Sequence, residues 1–221
     1  MSFSEQDKIK ILKLKSGIAS YYNLTMKKIG DRTLESLFYS NCVISGGMIS
    51  SIFHDEPVND IDLYATSVKG MTTIKDHIIG SGKNIKKIET YELDANGNKI
   101  THQTDAPLVT NNAVTLTNDV QFIYMDTWEN CKKKFDFVHC LPHYDLATQK
   151  LYISESQFRA IQNKQLIPTG YVEIKDKRRE KYVKRGWGFQ ELKPAEFKWS
   201  DSPVTIGIVA QEISQIIPSV I

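Results

Sequence analysis

Three cysteines, Cys42, Cys131 and Cys140, are few and odd in number, and no two stand in a CxxC spacing. A disulfide scaffold and a structural zinc site are therefore poor readings, and a reducing compartment is the expectation. No apolar run approaches the roughly 20 residues that span a bilayer, which excludes a transmembrane helix. The first residues, MSFSEQDKIKILKLK, alternate charge with apolar side chains and lack the continuous apolar core of a signal peptide. The sequence thus predicts a cytoplasmic protein without a membrane partner. There is also no internal repeat and no low-complexity segment.

What is present suits a folded domain: 41% hydrophobic and 24% charged residues in 221, with a mean hydropathy of −0.33. That supports one ordinary domain, or one with a small appendage. The net charge of +2 hides a local excess, because residues 175–185, KDKRREKYVKR, hold seven basic and two acidic residues. The rest of the chain is net acidic. A basic stretch on such a background suggests a local anion site, although a solvated helix face fits the charge run as well.

The first 40 residues read as helical, with Asp31 an N-cap before RTLESLFYS. CVIS (42–45) reads as a short strand, followed by Gly46-Gly47 and a helical MISSIF. IDLYA (61–65) is a second strand and VKGMTTIKDHII a helix. From Lys86 to Thr117 the pattern turns to β, with a hairpin signal in DANGNK (94–99). VQFIYM (120–125) and FDFVHC (135–140) are further strands around a short helix, TWENCKKK. SESQFRAIQNK and DKRREKYVKRGW read as helices. The sum is an α+β protein with a mixed sheet flanked by helices and a helical C-terminal appendage. The expected division is a helical extension over 1–30, a core over 31–145, the appendage with its basic helix over 146–189, and an arm over 190–221.

The informative segment is 43–65, VISGGMISSIFHDEPVNDIDLYA. A strand delivers the chain to Gly46-Gly47 and a helix follows, so backbone amides can approach an anion closely and cradle a triphosphate. Twelve residues separate Gly47 from Asp60. Asp60 and Asp62 flank Ile61, and alternate strand residues share a face, so the two carboxylates project together while Ile61 and Leu63 face the core. Two like charges side by side favour a cation, and Mg²⁺ with phosphate oxygens answers that need. Asp136, between Phe135 and Phe137, is the candidate third carboxylate. Beside the Asp60/Asp62 strand it would complete a site for two metal ions about 3.5–4 Å apart. The plain alternatives are a tight turn at Gly46-Gly47, a loop-ending Asp60, a lysine-paired Asp62 and a structural Asp136.

Gly-Gly, the spacer, Asp-x-Asp on a strand and a later Asp together resemble the polymerase-β-type nucleotidyltransferase superfamily. The Gly46–Leu63 stretch is especially similar to the head motif of tRNA CCA-adding enzymes and poly(A) polymerases. The resemblance covers residues 31 to about 140 and implies a small member of phage or large-DNA-virus type. It implies that Asp60 and Asp62 bind Mg²⁺ or Mn²⁺, that Asp136 helps activate the attacking hydroxyl, and that Gly46 and Gly47 hold the triphosphate of an NTP. Ser50 and Ser51 stand where CCA-adding enzymes carry Arg-Asp, and their hydroxyls are candidate phosphate contacts. The acceptor would be a hydroxyl of RNA, a protein or a small molecule, in the host cytoplasm for a phage-encoded chain, with virion association as a further expectation.

On a helix, Arg178, Lys181, Tyr182 and Arg185 share one face. They are candidates for holding the triphosphate or a polynucleotide backbone, with Tyr182 stacking on a base. Trp187 fits either a base or the core. His139 and His143 are four apart, but Pro142 breaks any continuous helix between them, and His139 reads as a core residue. Cys131 and Cys140 read as packing residues. The stretch 197–221 is similar to part of the intramolecular chaperone domains of phage tail-spike and tail-fibre proteins, which implies a tail that packs on a protein partner. It also reads as a strand and an amphipathic helix, QEISQII, docking on the chain's own surface. Two other functions fit the same residues: a catalytically inactive protein on this fold acting in a phage particle or on a host factor, and an RNA-binding module.

Overall fold

The computed structural model describes residues 3–93, 96 and 99–189, with the backbone of Ala195–Phe197 and Thr205–Gly207. Most of the expected 94–99 turn and most of the expected 190–221 arm, QEISQII included, lie outside the described residues. The chain divides into two units, Ser2–Cys131 with Pro142–Tyr152, and Lys132–Leu141 with Ile153–Ile221.

The larger unit opens with α1 (Glu5–Ile29). Ser4 accepts the Asp7 amide on its hydroxyl and the Asp7 carboxylate accepts the Ser4 amide, satisfying two donors the helix itself cannot. Leu14, Ile18, Tyr22 and Met26, four residues apart, form its buried face. Asp31 caps α2 (Arg32–Asn41) by accepting the Leu34 amide at 2.9 Å, as its sequence position predicts. Then come β1 (Cys42–Ser45), α3 (Gly47–Phe53), β2 (Ile61–Ala65) and α4 (Val68–Ser81). A Cβ on Gly17 of α1 would fall 2.8 Å from Ile52 Cγ2 of α3, so the glycine is what lets these helices approach.

Next follow β3 (Lys87–Leu93), β4 (Lys99–Pro107), β5 (Ala113–Thr115), β6 (Val120–Ile123), α5 (Trp128–Cys131), β7 (His143–Asp145) and β8 (Lys150–Tyr152). Six strands form one sheet in the order β5-β6-β2-β1-β7-β8. β2 and β6 run parallel and the other neighbours antiparallel. Strands and helices thus form the expected mixed α+β architecture. Ile44, Leu63 and Tyr144 lie opposite one another across β1, β2 and β7 and are buried. Among the described residues β3 and β4 pair only with each other, and β4 is exposed. The base of this pair is tied by Leu108 donating to the Lys86 carbonyl at 2.7 Å and Lys86 donating to the Thr115 carbonyl at 2.9 Å.

The smaller unit holds α6 (Glu155–Gln162), β9 (Gln165–Leu166), α7 (Asp176–Val183), β10 (Gly188–Phe189), and the paired strands β11 (Ala195–Phe197) and β12 (Thr205–Gly207). Its core gathers Phe137, Cys140, Leu166, Tyr182 and Trp187. The expected strand over 135–140 is a correction. Phe137 makes one bridge, to Pro168, and Val138–Cys140 tightens into a 3₁₀ turn. His139 and Cys140 are adjacent yet both reach the same Tyr182 side chain, His139 against its ring and Cys140 at its hydroxyl, which a strand's alternation does not allow. His139 stacks on Trp187 at 3.9 Å between ring centroids, with the Tyr182 ring edge-on at 4.7 Å. Neither of its ring nitrogens has a hydrogen-bond partner among the described residues. Burial, reinforced by the charges of Arg178 and Arg185, holds its pKa down to about 3. His139 and Trp187 are thus core residues, and Cys131 and Cys140 are buried and form no disulfide. Among the described residues no helix is long and apolar enough to cross a membrane.

Candidate functional site

The geometry centres on the turn after β1. Ser45 lies opposite Asp62 in the β1–β2 ladder, so the Asp-x-Asp strand and the Gly-Gly turn meet in space. Gly46 has φ 90° and ψ −149°, a conformation closed to ordinary side chains. A Cβ built on it would stand 2.9 Å from Asp62 Oδ2. The carboxylate therefore occupies the place a side chain would take. Gly47, by contrast, has nothing within 4 Å of its missing Cβ, and its outer side is open. Asp62 is half-buried, while Asp60, the residue before β2, is exposed. Ile61 and Leu63 are buried, so β2 alternates as its sequence predicts.

Several other candidates are engaged elsewhere. Ser50 and Ser51 are buried, and the Ser50 hydroxyl donates to the Gly47 carbonyl at 2.9 Å, which points it into its own helix. The neighbour of β2 on the side away from β1 is β6, and the residue opposite Asp62 there is Gln121, so the place expected for Asp136 carries an amide. Asp136 belongs to the smaller unit, where it accepts Arg178 Nε at 2.6 Å. Burial works against the Arg178 charge, but this carboxylate outweighs it and raises the guanidinium pKa. Tyr182 is buried, with its hydroxyl 3.2 Å from Cys140 Sγ, so its ring serves the core and offers no face to a base. Lys181 is exposed on α7, and Arg185, half-buried, lies past the helix end. Among the described residues no group of three His, Cys, Asp or Glu side chains is arranged to hold a metal ion.

The strand registers expose a row that the sequence does not reveal. Thr115, Gln121, Asp62, Ser45, His143 and Tyr152 lie opposite one another in turn across β5, β6, β2, β1, β7 and β8. Directly opposed residues share one face of a sheet. His143 stacks on Tyr152 at 4.9 Å with 11° between planes, and Trp128 of α5 meets His143 at 5.0 Å and Tyr64 at 5.3 Å. Only the pairing of distant strands brings these rings beside Asp62, so no local sequence signal could have found them.

A sequence profile described as "Gad2: Gabija anti-defense 2 family protein" matches residues 17–164. No curated protein matches the chain. Among solved structures, the apo form I of a CCA-adding enzyme is similar at 11% identity and a TM-score of 0.44, over 78% of this chain and 40% of that one. A Thermotoga maritima CCA-adding enzyme complexed with tRNA-CCA has 10% identity and a TM-score of 0.34, covering 62% and 32%. A tRNA-processing enzyme with CTP has 12% identity and a TM-score of 0.33, covering 57% and 32%. The chain spans two-fifths or less of the length of these three.

Proposed function

The chain belongs to the Gabija anti-defense 2 family, and we propose that it acts there as a metal-dependent nucleotidyltransferase. It would transfer a nucleoside monophosphate from an NTP to a hydroxyl of RNA, a protein or a small molecule, and this transfer would serve to counter Gabija defence. The observation that carries the reading is the fit of Asp62 Oδ2 into the place of a Gly46 side chain, 2.9 Å from where its Cβ would stand. It joins the two halves of the Gly-Gly/Asp-x-Asp pattern around one point.

The donor set suits Mg²⁺ or Mn²⁺. Asp60 and Asp62 offer hard carboxylate oxygens, and such an ion is commonly held by one or two carboxylates with waters and substrate phosphates completing its shell. Bound there, the ion would neutralise charge developing on the transferred phosphate. The chain's own residues do the positioning. Gly46, itself buried, lets the Asp62 carboxylate close on the turn, and the open side of Gly47 admits a phosphate where a side chain would crowd it. Asp62 is braced by its ladder with Ser45, so its carboxylate is aimed before substrate arrives. The attacking hydroxyl gives up its proton to water as its oxygen bonds to the α-phosphorus, the α–β bridge bond breaks, and its electron pair leaves on pyrophosphate.

The test uses NTPs labelled at the α-phosphate, Mg²⁺ or Mn²⁺, and lysates of cells with and without the Gabija genes. Wild type should transfer label, and the Asp60→Ala/Asp62→Ala variant should not. A chain that neither transfers label nor binds any NTP with metal overturns the reading.

A further inference from the structure

We propose that Tyr152, backed by His143, is the platform on which the base of the bound nucleotide stacks. The inference rests on the nucleotide reading above and names a contact for the same site. Four rings run in sequence from Tyr64 through Trp128 and His143 to Tyr152. Tyr64 and Trp128 are buried, His143 is half-buried and Tyr152 is 45% exposed. Among the described residues the Tyr152 ring meets no aromatic ring but that of His143. The two inner contacts are tilted, at 57° and 50°, and the outermost, between His143 and Tyr152, is parallel, so the series ends on an exposed tyrosine face open to a further planar ring. Burying that last face removes apolar surface from water and adds an aromatic contact.

The platform is on the correct face. Tyr152 and His143 continue the row that contains Ser45 and Asp62. Strands about 4.8 Å apart put His143 roughly 10 Å and Tyr152 roughly 14 Å from Asp62 along the row. An extended nucleoside triphosphate covers that interval, with its phosphates at the Gly46 turn and its base toward Tyr152. Packing already fixes the inner rings, so little ordering is needed when a base arrives. A tyrosine face stacks on any base, so the platform supplies affinity and leaves the choice of base to other contacts.

Equilibrium binding separates this inference from the reading beneath it. The probes are the four NTPs and inorganic tripolyphosphate, which has no base, each with Mg²⁺. Tyr152→Ala should weaken the best-bound NTP by roughly 5- to 150-fold and leave tripolyphosphate unchanged, while Tyr152→Phe should bind both as wild type does. Unchanged NTP binding by Tyr152→Ala overturns the platform while the nucleotide reading stands. So does equal weakening of NTP and tripolyphosphate, because that marks a structural role. Wild type that binds no NTP overturns both.

Discussion

Placing a methyl group at each of the two glycines should have opposite effects on stability. In Gly46→Ala the new Cβ meets Asp62 Oδ2 at 2.9 Å, and the backbone stays at φ 90°. The left-handed conformation alone costs about 1–3 kcal/mol for a non-glycine residue. The contact adds to this, since Asp62 can yield only by moving its carboxylate away from the turn. Gly47→Ala has open space, and alanine inside a helix is favoured over glycine by about 0.5–1 kcal/mol. Urea unfolding should therefore show the first variant less stable than wild type and the second equal or slightly more stable. Nucleotide binding with Mg²⁺ should fall in both, through a displaced Asp62 in one and a methyl group in the phosphate's path in the other. A Gly46→Ala protein with wild-type stability and wild-type nucleotide affinity would refute the geometry. A Gly47→Ala protein with undiminished affinity would remove Gly47 from the phosphate site.

Two further results follow from the smaller unit. His139 is held near pKa 3 when folded against about 6.5 when unfolded, so only the unfolded chain takes up this proton between those values. Its contribution is complete above about pH 6.5 and is lost on acidification at about 1.4 kcal/mol per pH unit. Urea midpoints at pH 7 and pH 5 should differ for wild type and differ less for His139→Phe; equal pH dependence would sink the assignment. Asp136→Asn should lower stability by about 1 kcal/mol, discounted because the Arg178 side chain is 38% exposed and screened by water. Folded Asp136→Asn should still transfer label, and loss of transfer without loss of stability would return Asp136 to the chemistry.

What the sequence discloses here is whatever neighbours in the chain decide. Asp31 as a cap, the bounds of β1 and β2 and the burial of Ile61 and Leu63 all follow from short-range pattern. That Asp136 pairs with Arg178 does not follow from such a pattern. Its flanking phenylalanines imitate strand alternation, and its partner Arg178 is distant in sequence. Tyr182 likewise shares a helix face with basic residues, yet its own ring is buried while Lys181 beside it stays exposed. β7 and β8 are too short to announce themselves, and with them the Tyr152 row stayed hidden. It exists only once β1 has paired with strands from both ends of its unit.

The β3–β4 hairpin has a consequence for how this chain can vary. Its strands share no ladder with the six-stranded sheet, and Lys86 and Leu108 are bonded to each other where it leaves the body. The hairpin is thus a pendant joined at a closed neck. Natural drift or deliberate grafting can lengthen it, shorten it or exchange its sequence without rewriting a bond between β2, β6 and β5, because the neck already holds the two ends together.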